Sequence, residues 1–263
     1  MEIKSSADLV RLTRAALAAS GFVRHEAEGN VWFERPNDGA PTLVLVHGAN
    51  DHAGTWFAVA PALARSYRLI IPDLPGHGES EPSSGPIPIS RIVAQLETIL
   101  ANERDLTLLG NSLGGWVVLL YTLRNPERVT RLFLEASGGL TRPLSSPLVA
   151  RDREEALVVL RAVHGPDFRP PEWVIEALLQ RAADSPMLRL TEVQEHAVEH
   201  RLGEIHVPTT LIWGAHDGVL PLSYAEALQQ AIPGSSLQVL EGAGHIPHLQ
   251  QPERFLACLT ATS

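Results

Sequence analysis

Apolar positions along the chain change period several times, and each change marks an element. Over residues 6–20, Leu9, Leu12, Ala16 and Leu17 recur at helical spacing until Gly21 closes the run, which predicts an opening helix. Residues 22–26 and 30–35 alternate around Glu28-Gly29-Asn30, the pattern of a hairpin. Short apolar runs follow at 42–46, 68–72, 106–109, 130–134, 208–213 and 236–240. Between and after them, helical patterns fill 56–65, 88–102, 113–124, 221–231 and 252–261. Short apolar strands separated by helices predict an α/β fold: a mostly parallel central sheet with helices on both faces.

Residues 140–205 break this rhythm. They hold no convincing strand, and Pro143, Pro147, Gly165, Pro166, Pro170 and Pro171 punctuate helical segments rich in arginine, from Arg142 to Arg201. The reading is a core formed by 1–139 and 206–263 with a helical cap at 140–205. The cap is expected over the carboxyl ends of the strands, where open α/β sheets bind ligands.

Composition narrows the function classes. A net charge of −9 without a basic cluster argues against nucleic acid or an anionic membrane surface as partner. The longest apolar run, around Trp116 to Leu120, is far short of a membrane span. After Lys4, the charges of Asp8, Arg11 and Arg14 interrupt any secretory apolar core. The single cysteine, Cys258, rules out an internal disulfide and fits a reducing compartment. A cytoplasmic, soluble protein is expected, with its oligomeric state left open.

The most informative stretch is Gly110-Asn111-Ser112-Leu113-Gly114, set between the strand 106–109 and the helix 113–124. Gly-x-Ser-x-Gly in that setting marks a sharp strand-to-helix turn that projects a serine hydroxyl above the sheet. A serine needs a base, an orienter for the base, and donors for the oxyanion. Each has a candidate after a strand end: Asp217 follows 208–213, His245 follows 236–240, and His47-Gly48-Ala49 follows 42–46. The N–H groups of Ala49 and Leu113 are the candidate oxyanion donors. His248 competes with His245 as base, and Glu135, ending the strand 130–134, competes with Asp217 as acid. His47 and Asp73 read as structural, with Asp73 bonded to backbone N–H groups, and Trp56, Trp116 and Trp213 read as core. His196 to His200 match an inverted zinc-protease motif, yet in a charged segment a solvated helix face is the better reading.

On His47-Gly48, Asp73 to Ser80, the serine turn, the Asp217 loop and Gly244-His245, the chain resembles the α/β-hydrolase family over nearly its whole length. The resemblance implies a Ser112–His245–Asp217 triad, an oxyanion hole at Ala49 and Leu113, and a cap at 140–205. It implies no cofactor and no metal. A serine nucleophile sets aside the relatives that use aspartate, the haloalkane dehalogenases and epoxide hydrolases. The expected activity is hydrolysis of small carboxylic esters, with Asn111 and Asn50 as substrate-contacting residues and a small molecule as partner. Asn111 before the serine also resembles carbon–carbon hydrolases of vinylogous diketones. Their glycine-proline-rich loop is replaced here by Ala49-Asn50-Asp51-His52-Ala53-Gly54. A non-enzymatic, ligand-binding use of the fold is the third reading.

Overall fold

The computed structural model describes residues 5–142 and 144–260. Lys4, Pro143 and Ala261, the expected end of the last helix, lie outside the described residues. The main sheet is built of β1 (Val23–Ala27), β2 (Asn30–Arg35), β3 (Thr42–Val46), β4 (Arg68–Pro72), β5 (Leu106–Asn111), β6 (Val129–Glu135), β7 (Thr209–Gly214) and β8 (Ser236–Leu240). Their spatial order is β1-β2-β4-β3-β5-β6-β7-β8. β2 runs antiparallel to β1 and β4, and every later pairing is parallel. The helices are α1 (Ser6–Ala19), α2 (Ile89–Ile99), α3 (Leu113–Arg124), α4 (Arg153–His164), α5 (Glu172–Ala182), α6 (Leu222–Ala231) and α7 (Pro252–Thr260).

β3, β5 and β7 are buried along their whole length, which explains their unbroken apolar runs. Alternate residues feed opposite faces. Val44 and Val46 pack with α2, α3 and α6, whereas Leu43 and Leu45 pack with α1, Trp56 and α7. The order places the carboxyl ends of β3, β5, β6 and β7 side by side, so the loops leaving them share one edge. The β1–β2 hairpin turns on Glu28 and Gly29, both at positive φ, as a two-residue hairpin turn requires.

The expected helix at 56–65 is divided. A 3₁₀ segment, Ala53–Ala58, is followed by a short α-turn, Ala60–Leu63. Pro61 sits in the first turn of the second piece, where its missing N–H is tolerated, and it cannot extend the first. α2 is likewise shorter than 88–102.

Between β6 and β7, α4 and α5 pack on each other through Ala156, Val159, Leu160 and Ile175. α4 is capped by Asp152, which accepts from the N–H of Glu155 at 2.9 Å, and ends at Gly165 with φ of 103°. Contrary to the sequence reading, this insertion does contain a strand: Leu190–Thr191 pairs in parallel with Ile87–Pro88. Two residues are too short for alternation to register. Among the described residues, no helix is long and apolar enough to cross a membrane.

Candidate active site

Ser112 occupies the turn from β5 into α3 with φ 53° and ψ −114°, a backbone state that non-glycine residues rarely adopt. The turn is held through its main chain. The N–H of Ser112 donates to the Glu135 carbonyl at 2.9 Å, and its own carbonyl accepts from the N–H of Gly138 at 2.9 Å. The neighbouring glycines are required by space. A Cβ on Gly110 would strike the Gly114 carbonyl, and one on Gly114 would strike the carbonyls of Val46 and His47. That second approach also brings the loop after β3 against the serine: a Cβ on Gly48 would lie 3.2 Å from that of Ser112. Leu113 opens α3, so its N–H is among those a helix leaves without an internal partner.

His245 and Asp217 meet across the loops after β8 and β7. The Nδ1–H of His245 donates to Asp217 Oδ2 at 2.8 Å. The other carboxylate oxygen accepts the N–H groups of Val219 and Leu220, each at 2.9 Å. Burial pulls the His245 pKa down, but the charge and hydrogen bond of Asp217, helped by Glu135, outweigh it and leave the pKa raised. With Nδ1 committed to Asp217, Nε2 is the nitrogen left to take a proton. Asn111 links this pair to the serine turn, its Nδ2 donating to the His245 carbonyl at 3.1 Å.

The two competitors pair with each other. His248 Nδ1 lies 2.8 Å from Glu135 Oε2, and the His248 N–H donates to Glu135 Oε1 at 2.8 Å. Thr55 Oγ1 sits 3.1 Å from His248 Nε2, and the Trp56 ring packs against that of His248 at 4.3 Å, tilted by 34°. Both side chains of the pair are fully buried. Two buried His–carboxylate pairs thus stand apart among the described residues, of which His245–Asp217 is cross-linked to the serine turn by Asn111.

Residues 43–257 match the model of the alpha/beta hydrolase family. The chain belongs to that family. The monoacylglycerol lipase of Mus musculus is 27% identical over 244 residues, covering 81% of this chain and 73% of the relative. A solved bacterial membrane phospholipase A superposes with a TM-score of 0.80 at 26% identity, covering 96% of this chain and 91% of that one. A 2-hydroxy-6-oxo-6-phenylhexa-2,4-dienoate hydrolase from Rhodococcus reaches a TM-score of 0.74 at 22% identity over 90% of this chain and 97% of its own, a likeness of fold.

This α/β hydrolase holds Ser112, Leu113 and Ala49 on the wall of one cavity of about 460 Å³. The rest of the wall is mostly apolar, including Trp116, Leu140, Leu148 and Leu220, with Arg142 and Gln194 among the polar exceptions. Trp116, Trp56 and Trp213 are all buried in the core as expected, and Trp116 also walls this cavity, its indole N–H donating to the His196 carbonyl at 3.0 Å.

Both asparagines expected at the substrate make hydrogen bonds within the protein, and Asn50 also lines a second cavity. Asn111 is buried, and its amide lies between the carbonyls of His245 and Glu135. Asn50 is turned toward the insertion: Nδ2 donates to the Leu148 carbonyl at 3.3 Å, and Oδ1 accepts from the Ser185 hydroxyl at 2.6 Å. The segment expected to carry the inverted zinc motif on a helix is instead a turn leading into the 3₁₀ segment Glu199–Glu204, so His196 and His200 share no helical face.

Structural readings nearby fare well. His47 accepts the N–H of Leu74 at Nε2, at 2.9 Å, so Nδ1 carries the proton toward the Gly48 carbonyl at 2.7 Å. Asp73 accepts backbone N–H groups from Ala53 and Glu79 at 2.6 and 2.9 Å. Arg14 from α1 also binds it at 2.6 Å, a long-range pair with no sequence signal. Burial pushes the Asp73 carboxyl up, but Arg14 and these donors hold it below its ordinary value.

Sequence reasoning missed the role of the α4 carboxyl end. Its carbonyls accept from both loops of the His245–Asp217 pair: Ala162 from the Gly218 N–H at 2.9 Å and Val163 from the His245 N–H at 2.7 Å. Gln250 adds a strut, donating to the His164 carbonyl and accepting the Gly244 N–H, both at 2.8 Å. Gly165 and Pro166 announce where α4 ends, but nothing in them says what meets its last carbonyls.

Proposed function

We propose that this α/β hydrolase cleaves small, uncharged carboxylic esters by a Ser112–His245–Asp217 triad, with residues 140–205 acting as the cap. Ser112 Oγ attacks the ester carbonyl carbon and passes its proton to His245 Nε2, while Asp217 stabilises the imidazolium. The N–H groups of Ala49 and Leu113 receive the oxyanion of the tetrahedral intermediate. The intermediate collapses by breaking the bond to the alkoxy oxygen, which takes the proton from His245. Water then attacks the acyl-Ser112 ester with His245 as base, releasing the carboxylic acid and restoring the serine.

The observation that carries this reading is the cross-link of a strained Ser112 to the buried His245–Asp217 pair, beside a largely apolar cavity. The relatives above 25% identity named here, a monoacylglycerol lipase and a phospholipase, point to the same bond type. The diketone reading needs polar groups over the serine to hold and protonate an enol. The Asn111 amide is bonded to the His245 carbonyl, which leaves that role to a cap arginine such as Arg142 on the wall of a largely apolar cavity. Acetate- to butyrate-length aryl esters are expected to be hydrolysed, and vinylogous diketones far more weakly. A diketone specificity constant about a hundredfold above the ester's would reverse the assignment.

The pH profile gives a second test. The reaction needs neutral His245, and its pKa is raised above the ordinary 6.5. Activity is lost as pH falls through that raised value, so the acid limb of kcat/KM for the free enzyme should be centred above 6.5. A limb centred below the ordinary histidine value would remove His245 as the base.

A further inference from the structure

A second cavity, of about 530 Å³, lies between the insertion and the core, lined by α5, the end of α4, Leu9 of α1 and the turn at Gly76 to Gly78. It shares one lining residue with the cavity at Ser112, and that residue is Leu148. The chain crosses from one cavity to the other at two further places, between Ala49 and Asn50 and between Pro186 and Met187. All three places are tied together. Asn50 bonds the Leu148 carbonyl through Nδ2 and the Ser185 hydroxyl through Oδ1, and its own carbonyl accepts from Arg181 at 3.4 Å. Asn50 also holds φ at 61°, a state asparagine tolerates better than most residues.

The partition includes Leu148, which lines both cavities, and the Asn50–Ser185 bond. It belongs to the contact between insertion and core, so it moves with any shift of the insertion. Beyond it the wall is chiefly apolar, with Leu160, Phe168, Val174, Ala177 and Leu178. His164 at the end of α4 stacks on Phe168 at 4.2 Å, and burial holds its pKa down to about 4, so it is neutral near pH 7. Asp51, Arg181 and Asp184 also line the cavity, and it is the continuous apolar part of the wall that suits a hydrocarbon chain.

We propose that this second cavity is a subsite for the distal part of an unbranched acyl chain, entered from Ser112 when Leu148 and the Asn50–Ser185 bond give way, and that Leu148 sets the chain length accepted. The inference rests on ester cleavage at Ser112 and adds the substrate class to it: single-chain fatty acyl esters rather than acetates alone.

The test uses the full chain and three variants: Leu148→Ala, Ala177→Phe, which fills the far cavity, and the double variant. Aryl esters from acetate to dodecanoate are assayed, and dodecanoate binding is measured by calorimetry. Leu148→Ala should raise the dodecanoate-to-acetate ratio of kcat/KM by about tenfold or more, and Ala177→Phe should cancel that rise in the double variant. Dodecanoate should bind more tightly to Leu148→Ala and about tenfold more weakly to Ala177→Phe than to the unaltered protein. A chain-length ratio indifferent to Leu148, or a rise that Ala177→Phe leaves in place, overturns the subsite. A protein that turns over no ester defeats the reaction assignment instead, and the calorimetry then decides. Weaker dodecanoate binding in Ala177→Phe supports the subsite without the chemistry, and unchanged binding overturns it. Should Leu148→Ala fail to fold, the same comparison of Ala177→Phe with the unaltered protein decides it.

Discussion

Ser112→Ala should lower turnover of a butyrate aryl ester by about 10⁴-fold or more, the scale seen when a triad nucleophile is removed. The fold should survive. Residue 112 is held by its backbone, through the Glu135 carbonyl below and the Gly138 and Trp116 N–H groups above, and alanine keeps every one of these bonds. Alanine also brings no bulk to the wall shared with Ala49 and Leu113. The variant should therefore melt with the unaltered protein while its kcat collapses. Glycine at the same position would differ, since it removes the strain at φ 53° and should raise stability slightly. A folded Ser112→Ala protein that keeps most of its activity would show that the nucleophile lies elsewhere.

The contrast between a disposable hydroxyl and an indispensable backbone explains what was legible in the sequence. Gly110 and Gly114 betray the serine turn because a close backbone approach leaves a mark in residue type. The strands β3, β5 and β7 are legible because burial on both faces demands unbroken apolar runs. From sequence alone Asn111 and Asn50 read as polar groups facing a substrate, since an amide looks the same whether it meets a ligand or a carbonyl. Only the neighbours decide, and those neighbours, His245, Leu148 and Ser185, are each more than ninety residues away. Arg14 with Asp73, and the α4 carbonyls beneath both loops, were hidden for the same reason. Long-range polar partners follow from the packing of the whole chain, and local patterning does not encode them.

The two buried carboxylates paired with histidine, Asp217 and Glu135, should separate function from stability. Asp217→Asn should cut turnover by about 10⁴-fold, because the amide that replaces Oδ2 favours the imidazole tautomer with its proton on the wrong nitrogen. Its effect on stability should be small if the asparagine carbonyl still accepts the N–H groups of Val219 and Leu220. Glu135→Gln should do the opposite. Glu135 is fully buried and receives both the Nδ1 and the backbone N–H of His248, so a neutral amide leaves that cluster poorly satisfied. Breaking a buried pair of this kind costs about 3 kcal/mol, several degrees in Tm for a chain of this length. Its turnover per folded molecule should change only a few-fold, because the Glu135 main-chain carbonyl that holds Ser112 is unaltered. The pH profile should keep its acid limb, shifted slightly downward by the loss of a nearby negative charge. Thermal melts and kcat for the two variants, measured side by side, give the answer. If Glu135→Gln abolishes turnover while Asp217→Asn mainly lowers Tm, the acid of the triad sits at the end of β6, and the His248 pair is the one that works.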